Sequence, residues 1–221
     1  MMTEQERSII RMKKKSIAAV SCIMVVVMLL LTGCGGNNGE TGGDKDSGKL
    51  SPYQLSSSEK QLAMMMVGST APVMMAGFEG AKDYKEMNIG VEYYEHGKLV
   101  NGKSGTKMTC DLTDLGDDSG KGMVAAVIDG DVIRLSVGTE DGSMVSQDSP
   151  VAKSYLKCSG KLTSTLGETV SIKDGKRIYF GAQAGSDSNE MESFDMSAPP
   201  EKNDRLKKYD ACLLFYVEFV K

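Results

Sequence analysis

Met87-Asn88-Ile89-Gly90-Val91-Glu92-Tyr93-Tyr94 decides the fold. Met87, Ile89, Val91 and Tyr93 alternate with Asn88, Gly90, Glu92 and Tyr94, the period-two pattern of a strand with one buried face. Glu95-His96-Gly97-Lys98 then turns the chain. The C-terminus repeats the pattern, with Ala211, Leu213, Phe215, Val217 and Phe219 on one apolar face. Met123 to Ile128 is apolar on both faces, as in a central strand. Asp129-Gly130-Asp131 leads from it into Val132 to Gly138, where Ile133, Leu135 and Val137 share a face. Val170 and Ile172 alternate up to Asp174-Gly175, a two-residue hairpin signal, and the chain returns through Ile178, Phe180 and Ala182. About eight strands parted by Gly/Asp turns predict a mostly β chain, a single antiparallel β-sandwich.

Helix enters this pattern once. Ser58-Glu59-Lys60-Gln61 fits a capping box ahead of the apolar Leu62 to Val67, which predicts one short N-terminal helix over about 59–67. Its apolar residues run all the way round, so a buried strand is the alternative. Met64, Met65, Met66, Met74 and Met75 read as core filler rather than a thioether copper site, since no His or Cys is near them in sequence. Residues 138–160 and 185–204 lack periodicity and are expected to be long loops, the second mobile.

Upstream of the sandwich, Lys13-Lys14-Lys15 precede Ile17 to Leu31, 15 residues free of charge. As a helix these span roughly 22 Å, short for a membrane crossing of about 20 residues and long enough for a signal segment. The run ends in Leu31-Thr32-Gly33-Cys34. In this arrangement the segment resembles the signal peptides of bacterial lipoproteins. The resemblance implies a diacylglyceryl group on the Cys34 thiol, cleavage between Gly33 and Cys34, and a mature protein anchored on the outer face of the bacterial cell membrane. The alternatives are an ordinary signal peptide or a short anchor. Glu4 and Glu6 are unusual so close to a signal segment, and Met12-Lys13-Lys14-Lys15-Ser16 offers a more conventional start. The expected organisation is a signal peptide over 1–33, a flexible tether over 34–57, rich in Gly, Asn and Asp, and the β-sandwich over 58–221.

Of 26 Lys/Arg and 30 Asp/Glu, 5 and 2 precede Cys34, which leaves the remainder a net charge of −7. That argues against nucleic acid as a partner. Past Cys34 the cysteines are Cys110, Cys158 and Cys212, an odd number at wide spacing. This suits buried free thiols better than a disulfide framework or a zinc motif.

Chemistry is sparse. The single histidine, His96, falls at an expected hairpin tip. A tip seldom supplies the nucleophile and orienting partner that a catalytic imidazole needs. No Gly-x-Ser-x-Gly elbow, Walker loop or His-Glu-x-x-His helix is present. Asp111, Asp114, Asp117 and Asp118 crowd one loop and offer hard oxygen ligands for Ca²⁺ or another metal, although acidic turns at strand ends are common. Tyr94, Tyr179 and Tyr216 each lie opposite the apolar face of their strand. If those strands are neighbours, the three form an aromatic patch suited to recognition, unless the 59–67 helix or a loop covers them.

In overall pattern the domain is similar to uncharacterised β-sandwich lipoproteins of Gram-positive gut bacteria. The likeness rests on the Leu55-Ser56 to Leu62 helix-entry segment and the aromatic final strand, and it implies no activity. The expected function is a membrane-anchored, non-enzymatic binding module for an extracellular protein or glycan, without a cofactor. The alternative is a metal-dependent enzyme or calcium-binding domain built on the Asp111–Asp118 carboxylates.

Overall fold

The computed structural model describes residues 48–58, 61, 71–100, 107–113, 120–139, 144–188, 191–193, 195–196 and 199–221. The chain divides into two units, 1–39 with 55–71 and 40–54 with 72–221. The first lies almost wholly outside the described residues, and the second is the β-sandwich expected from the strand pattern.

One sheet runs β10 (Val170–Ser171), β1 (Lys49–Pro52), β2 (Val73–Glu79), β6 (Gly122–Asp129), β7 (Val132–Thr139), β8 (Met144–Pro150). The other runs β4 (Lys98–Leu99), β3 (Glu86–Glu95), β12 (Ala211–Val220), β11 (Arg177–Ser186), β9 (Gly160–Thr165). β5 (Lys107–Asp111) also pairs with β3. Every pairing is antiparallel.

The long β3–β12 pair centres the second sheet. Met87 faces Phe219, Ile89 Val217, Val91 Phe215 and Tyr93 Leu213, so the apolar sets of two distant segments merge into one inner surface. The opposing surface carries Met74, Ala76 and Phe78 on β2, Val124, Ala126 and Ile128 on β6, and Ile133, Leu135 and Val137 on β7, all buried in one cluster. The sheets meet closely. Phe78 and Phe219 rings pack edge to face at 5.6 Å. A Cβ on Gly181 would lie 2.7 Å from Met74 Cβ, so only glycine allows the approach there. Each large side chain buried this way contributes about 1.5–3 kcal/mol, which makes the shared face the main source of stability.

Hairpin turns follow local chemistry in two places. Gly130 has φ +60 between β6 and β7, and His96 and Gly97 have φ +48 and +75 between β3 and β4. Two successive positive φ values are what a type I′ turn needs. Asp174-Gly175 differs from expectation. Gly175 has φ +62, but β10 pairs with β1 instead of β11, so the turn carries the chain from one sheet to the other. It is held by Gly175 N–H donating to the Phe219 carbonyl and Lys221 N–H donating to Asp174 Oδ1.

Other departures come from strand edges. The described residues form twelve strands rather than about eight, because short or polar edge strands carry little apolar signal. The expected loop over 138–160 contains β8 and the one-turn helix α1 (Lys153–Lys157). β8 is an edge strand, where polar residues and a terminal Pro150 are tolerated, and Arg134 on β7 clamps its Asp148 with two hydrogen bonds of 2.6 and 2.9 Å. The expected tether over 34–57 yields Lys49–Pro52 to the first sheet as β1. Residues 185–204, expected to be mobile, finish β11 and then bury Met196 and Pro200. The signal segment, Cys34 and most of the expected 59–67 helix lie outside the described residues.

Candidate functional site

Strand alternation places Glu92 and Tyr94 on the outer face of β3, Tyr216 on that of β12, and Arg177 and Tyr179 on that of β11. Tyr179 stands directly opposite Tyr216, and Tyr216 opposite Gly90. A bulge at Phe180 breaks the β11 register between Tyr179 and Gly181, and the inserted Phe180 is fully buried beside Phe215. Gly90 has a steric role, since a Cβ there would fall 2.6 Å from the Tyr216 ring.

The cluster centres on Glu92, which is 5% exposed. One carboxylate oxygen accepts from the Tyr94 hydroxyl at 2.8 Å and the Tyr179 hydroxyl at 2.9 Å. The other pairs with the Arg177 guanidinium. That guanidinium lies 4.4 Å above the centre of the Tyr216 ring, and Tyr216 meets Tyr179 edge to face at 6.2 Å. The structure thus brings all three sequence-predicted tyrosines onto one face. Burial, and next the Glu92 carboxylate, push the Tyr94 and Tyr179 phenols far above their ordinary value. Burial raises Tyr216 too, against the opposing pull of Arg177. The Tyr94 and Tyr179 phenols therefore donate to Glu92 as neutral groups. The open part is Arg177, whose side chain is 45% exposed, with the half-buried Tyr179 beside it.

The described residues between 187 and 210 form a strap near the same face. It turns through two 3-10 segments, Pro200–Lys202 and Asp204–Lys208, and its Met196, Leu206 and Tyr209 join the core cluster. Asp210 Oδ2 accepts from Ser186 Oγ at 3.1 Å and Asp187 N at 2.9 Å, closing the strap at its base. Tyr209 hydroxyl donates to the Glu192 carbonyl, and Asn203 Nδ2 to the Asp195 carbonyl at 3.1 Å. Gly97 admits the second 3-10 turn against the β3–β4 hairpin, since a Cβ there would fall 3.0 Å from Lys207 Cα. Glu201 lies near enough to help raise both Tyr94 and Tyr179.

The acidic loop is described only in part. Asp111 Oδ1 accepts from Thr113 N at 2.9 Å and Thr113 Oγ1 at 2.6 Å, an Asx turn at the end of β5. Asp114, Asp117 and Asp118 lie outside the described residues. Among the described residues no three His, Cys, Asp or Glu are grouped to hold a metal. His96 is 71% exposed, with Nδ1 3.8 Å from Asp210 Oδ1. Cys110, Cys158 and Cys212 are free and buried, and burial lifts each thiol, Cys212 to about 12.

Sequence reasoning missed Glu92 and Arg177, and also a second polar group at the far end of β3. There Glu95 Oε1 accepts from the Tyr93 hydroxyl at 2.6 Å and Ser154 Oγ at 2.9 Å. Burial and Glu95 raise the Tyr93 phenol to about 12. The available signal for Glu92 was its place on the face of Tyr94, two residues on.

No curated protein and no solved structure matches the chain. The model of the YgaN domain matches residues 49–219, from the first residue of β1 to the penultimate residue of β12 and so across both sheets. The chain belongs to the YgaN domain family.

Proposed function

We propose that this protein is a lipid-anchored extracytoplasmic binding module, not an enzyme, held on the outer face of a bacterial cell membrane by diacylglycerol on Cys34. The Lys-led apolar segment and the Leu31-Thr32-Gly33-Cys34 box support the anchor. Two acyl chains bury enough methylenes, at about 0.8 kcal/mol each, for stable attachment. Residues 35–48 connect Cys34 to β1 and are rich in Gly, Asn and Asp.

The observation that carries the binding reading is the half-open Arg177 guanidinium stacked on Tyr216 beside Tyr179. Arg and Tyr supply much of the energy at recognition surfaces. Glu92 orients both groups from below and holds the phenols neutral. An extracellular glycan or protein presenting an acidic or ring-shaped group fits this surface.

Two measurements test the reading. Metabolic labelling with an alkyne fatty acid should mark the wild type and not Cys34→Ala; an unlabelled wild type refutes the anchor. Arg177→Ala and Tyr179→Ala should each lose capture on an array of purified cell-surface glycans and proteins while melting cooperatively. Capture unchanged in both variants refutes the tyrosine face.

A further inference from the structure

Among the described residues two buried side-chain polar atoms lack a hydrogen-bond partner, Ser164 Oγ and Thr139 Oγ1, and of the two Thr139 borders a cleft. The penultimate residue of β2, the first of β6 and the last of β7 form a row on the inner surface of the first sheet: Phe78 faces Gly122, and Gly122 faces Thr139. Elsewhere in these strands the inner positions hold apolar side chains, from Ala76 and Ala126 to Met74 and Leu135. Here the middle position has no side chain, and a Cβ on Gly122 would fall 2.5 Å from Phe78 Cζ. The Phe78 ring fills the space over Gly122, and beside this row lies a cleft of about 190 Å³ bordered by Phe78, Lys82, Tyr84, Leu112, Gly120 and Thr139.

Thr139 is only 3% exposed, continues the inner face of Val137, and its Oγ1 has no hydrogen-bond partner. An orphaned buried hydroxyl is costly, and natural structures rarely keep one without a partner to be supplied. The walls are rigid. Tyr84 and Phe78 each pack edge to face on Phe219 at 5.6 Å, and the Tyr84 hydroxyl donates to the Ile172 carbonyl at 3.3 Å. Gly120, at φ +63, accepts from Ala81 N–H at 2.9 Å and closes the rim.

We propose that this cleft is a binding site for a small carboxylate with an apolar, ring-sized body. The volume lies below the roughly 300 Å³ at which pockets for drug-sized ligands begin, and matches about six waters, so the occupant is small. Phe78, Tyr84 and Leu112 supply an apolar floor, and Thr139 Oγ1 donates to one oxygen of the ligand. Among the described lining residues the one group charged at neutral pH is Lys82, an exposed cation at the mouth that favours an anion. The acids beside the lining residues, Glu79, Asp83 and Asp111, do not themselves line the cleft, and Asp111 Oδ1 is turned onto Thr113. The site is independent of the tyrosine face, so either can fail alone.

The test uses the ¹⁵N-labelled full chain in detergent micelles, titrated with phenylacetate, phenylacetamide and phenethylamine. Phenylacetate should give saturable shifts at the Leu112, Gly120 and Thr139 amides. Thr139→Val, which keeps the shape and removes the hydroxyl, should weaken phenylacetate roughly tenfold. Lys82→Gln should abolish the preference for the acid over the amide. No saturable shift from any probe, or equal affinity in Thr139→Val, overturns the site. Phenethylamine binding as tightly as phenylacetate overturns the carboxylate assignment.

Discussion

Replacing Glu92 by alanine removes the acceptor on which the outer-face cluster converges. Two phenol hydroxyls lose a charged partner, and such bonds are worth about 1.5–3 kcal/mol each. Tyr94 is buried and loses the full amount, whereas the half-buried Tyr179 recovers part of it from water. The Arg177 pair adds about 1 kcal/mol at most, because that side chain is 45% exposed and solvent screens it. The expected loss for Glu92→Ala is therefore about 3–5 kcal/mol, or roughly 10 °C in Tm for a domain of this size. Glu92→Gln keeps one acceptor oxygen and should lose about half as much. Urea unfolding at pH 7 gives both values. A double-mutant cycle of Glu92→Ala with Tyr94→Phe should show coupling above about 1 kcal/mol, since the phenol has nothing to lose once the carboxylate is gone. A loss under about 1 kcal/mol for Glu92→Ala, or additivity within roughly 0.5 kcal/mol, would refute the view that this carboxylate organises the face.

Alkaline pH provides a second perturbation. Tyr93 and Tyr155 are raised to about 12 from 10.0, and Tyr94 and Tyr179 are raised further. A phenol whose folded pKa is raised leaves more protons on the native state, so stability should hold below pH 10 and fall as pH climbs through 12. Absorbance at 295 nm should show these four ionising only on unfolding, and titration of all eight tyrosines near pH 10 in the folded protein would contradict this. Gly90→Ala should cost about 1–3 kcal/mol by forcing Tyr216 off its position, read as a drop in Tm with the Arg177 variant as reference; an unchanged Tm would show that the ring has room to move. Cys110, Cys158 and Cys212 should resist a thiol reagent at pH 8 until denaturant is added, and rapid reaction of any of them in the native state would contradict their burial.

Much of the fold was legible because strand alternation is a local property. The apolar faces of β3, β6, β7 and β12 can be read from the chain, as can the presence of Tyr94, Tyr179 and Tyr216 on the opposite side; the expected β11 face of Ile178, Phe180 and Ala182 holds only up to Phe180, where the bulge turns Gly181 inward and Ala182 outward. The turn at Asp129-Gly130 was also legible, because positive φ demands glycine there. Asp174-Gly175 carries the same signal, but the partner of β10 is set by β1, some 120 residues earlier in the chain, and a local motif cannot report that. β8 was invisible because an edge strand buries too little to need apolar residues.

What the sequence by itself determined is which residues of the long strands face inward. Tertiary structure decided which outward-facing residues meet. Glu92 reaches Tyr179 across 87 positions of chain only because β12 pairs with both β3 and β11. The strap comes to rest on this face because its Met196, Leu206 and Tyr209 find an apolar surface that exists only once the sheet is formed. The orphan hydroxyl of Thr139 is likewise a product of assembly, since a threonine at a strand end becomes unpartnered only when a second sheet closes over it.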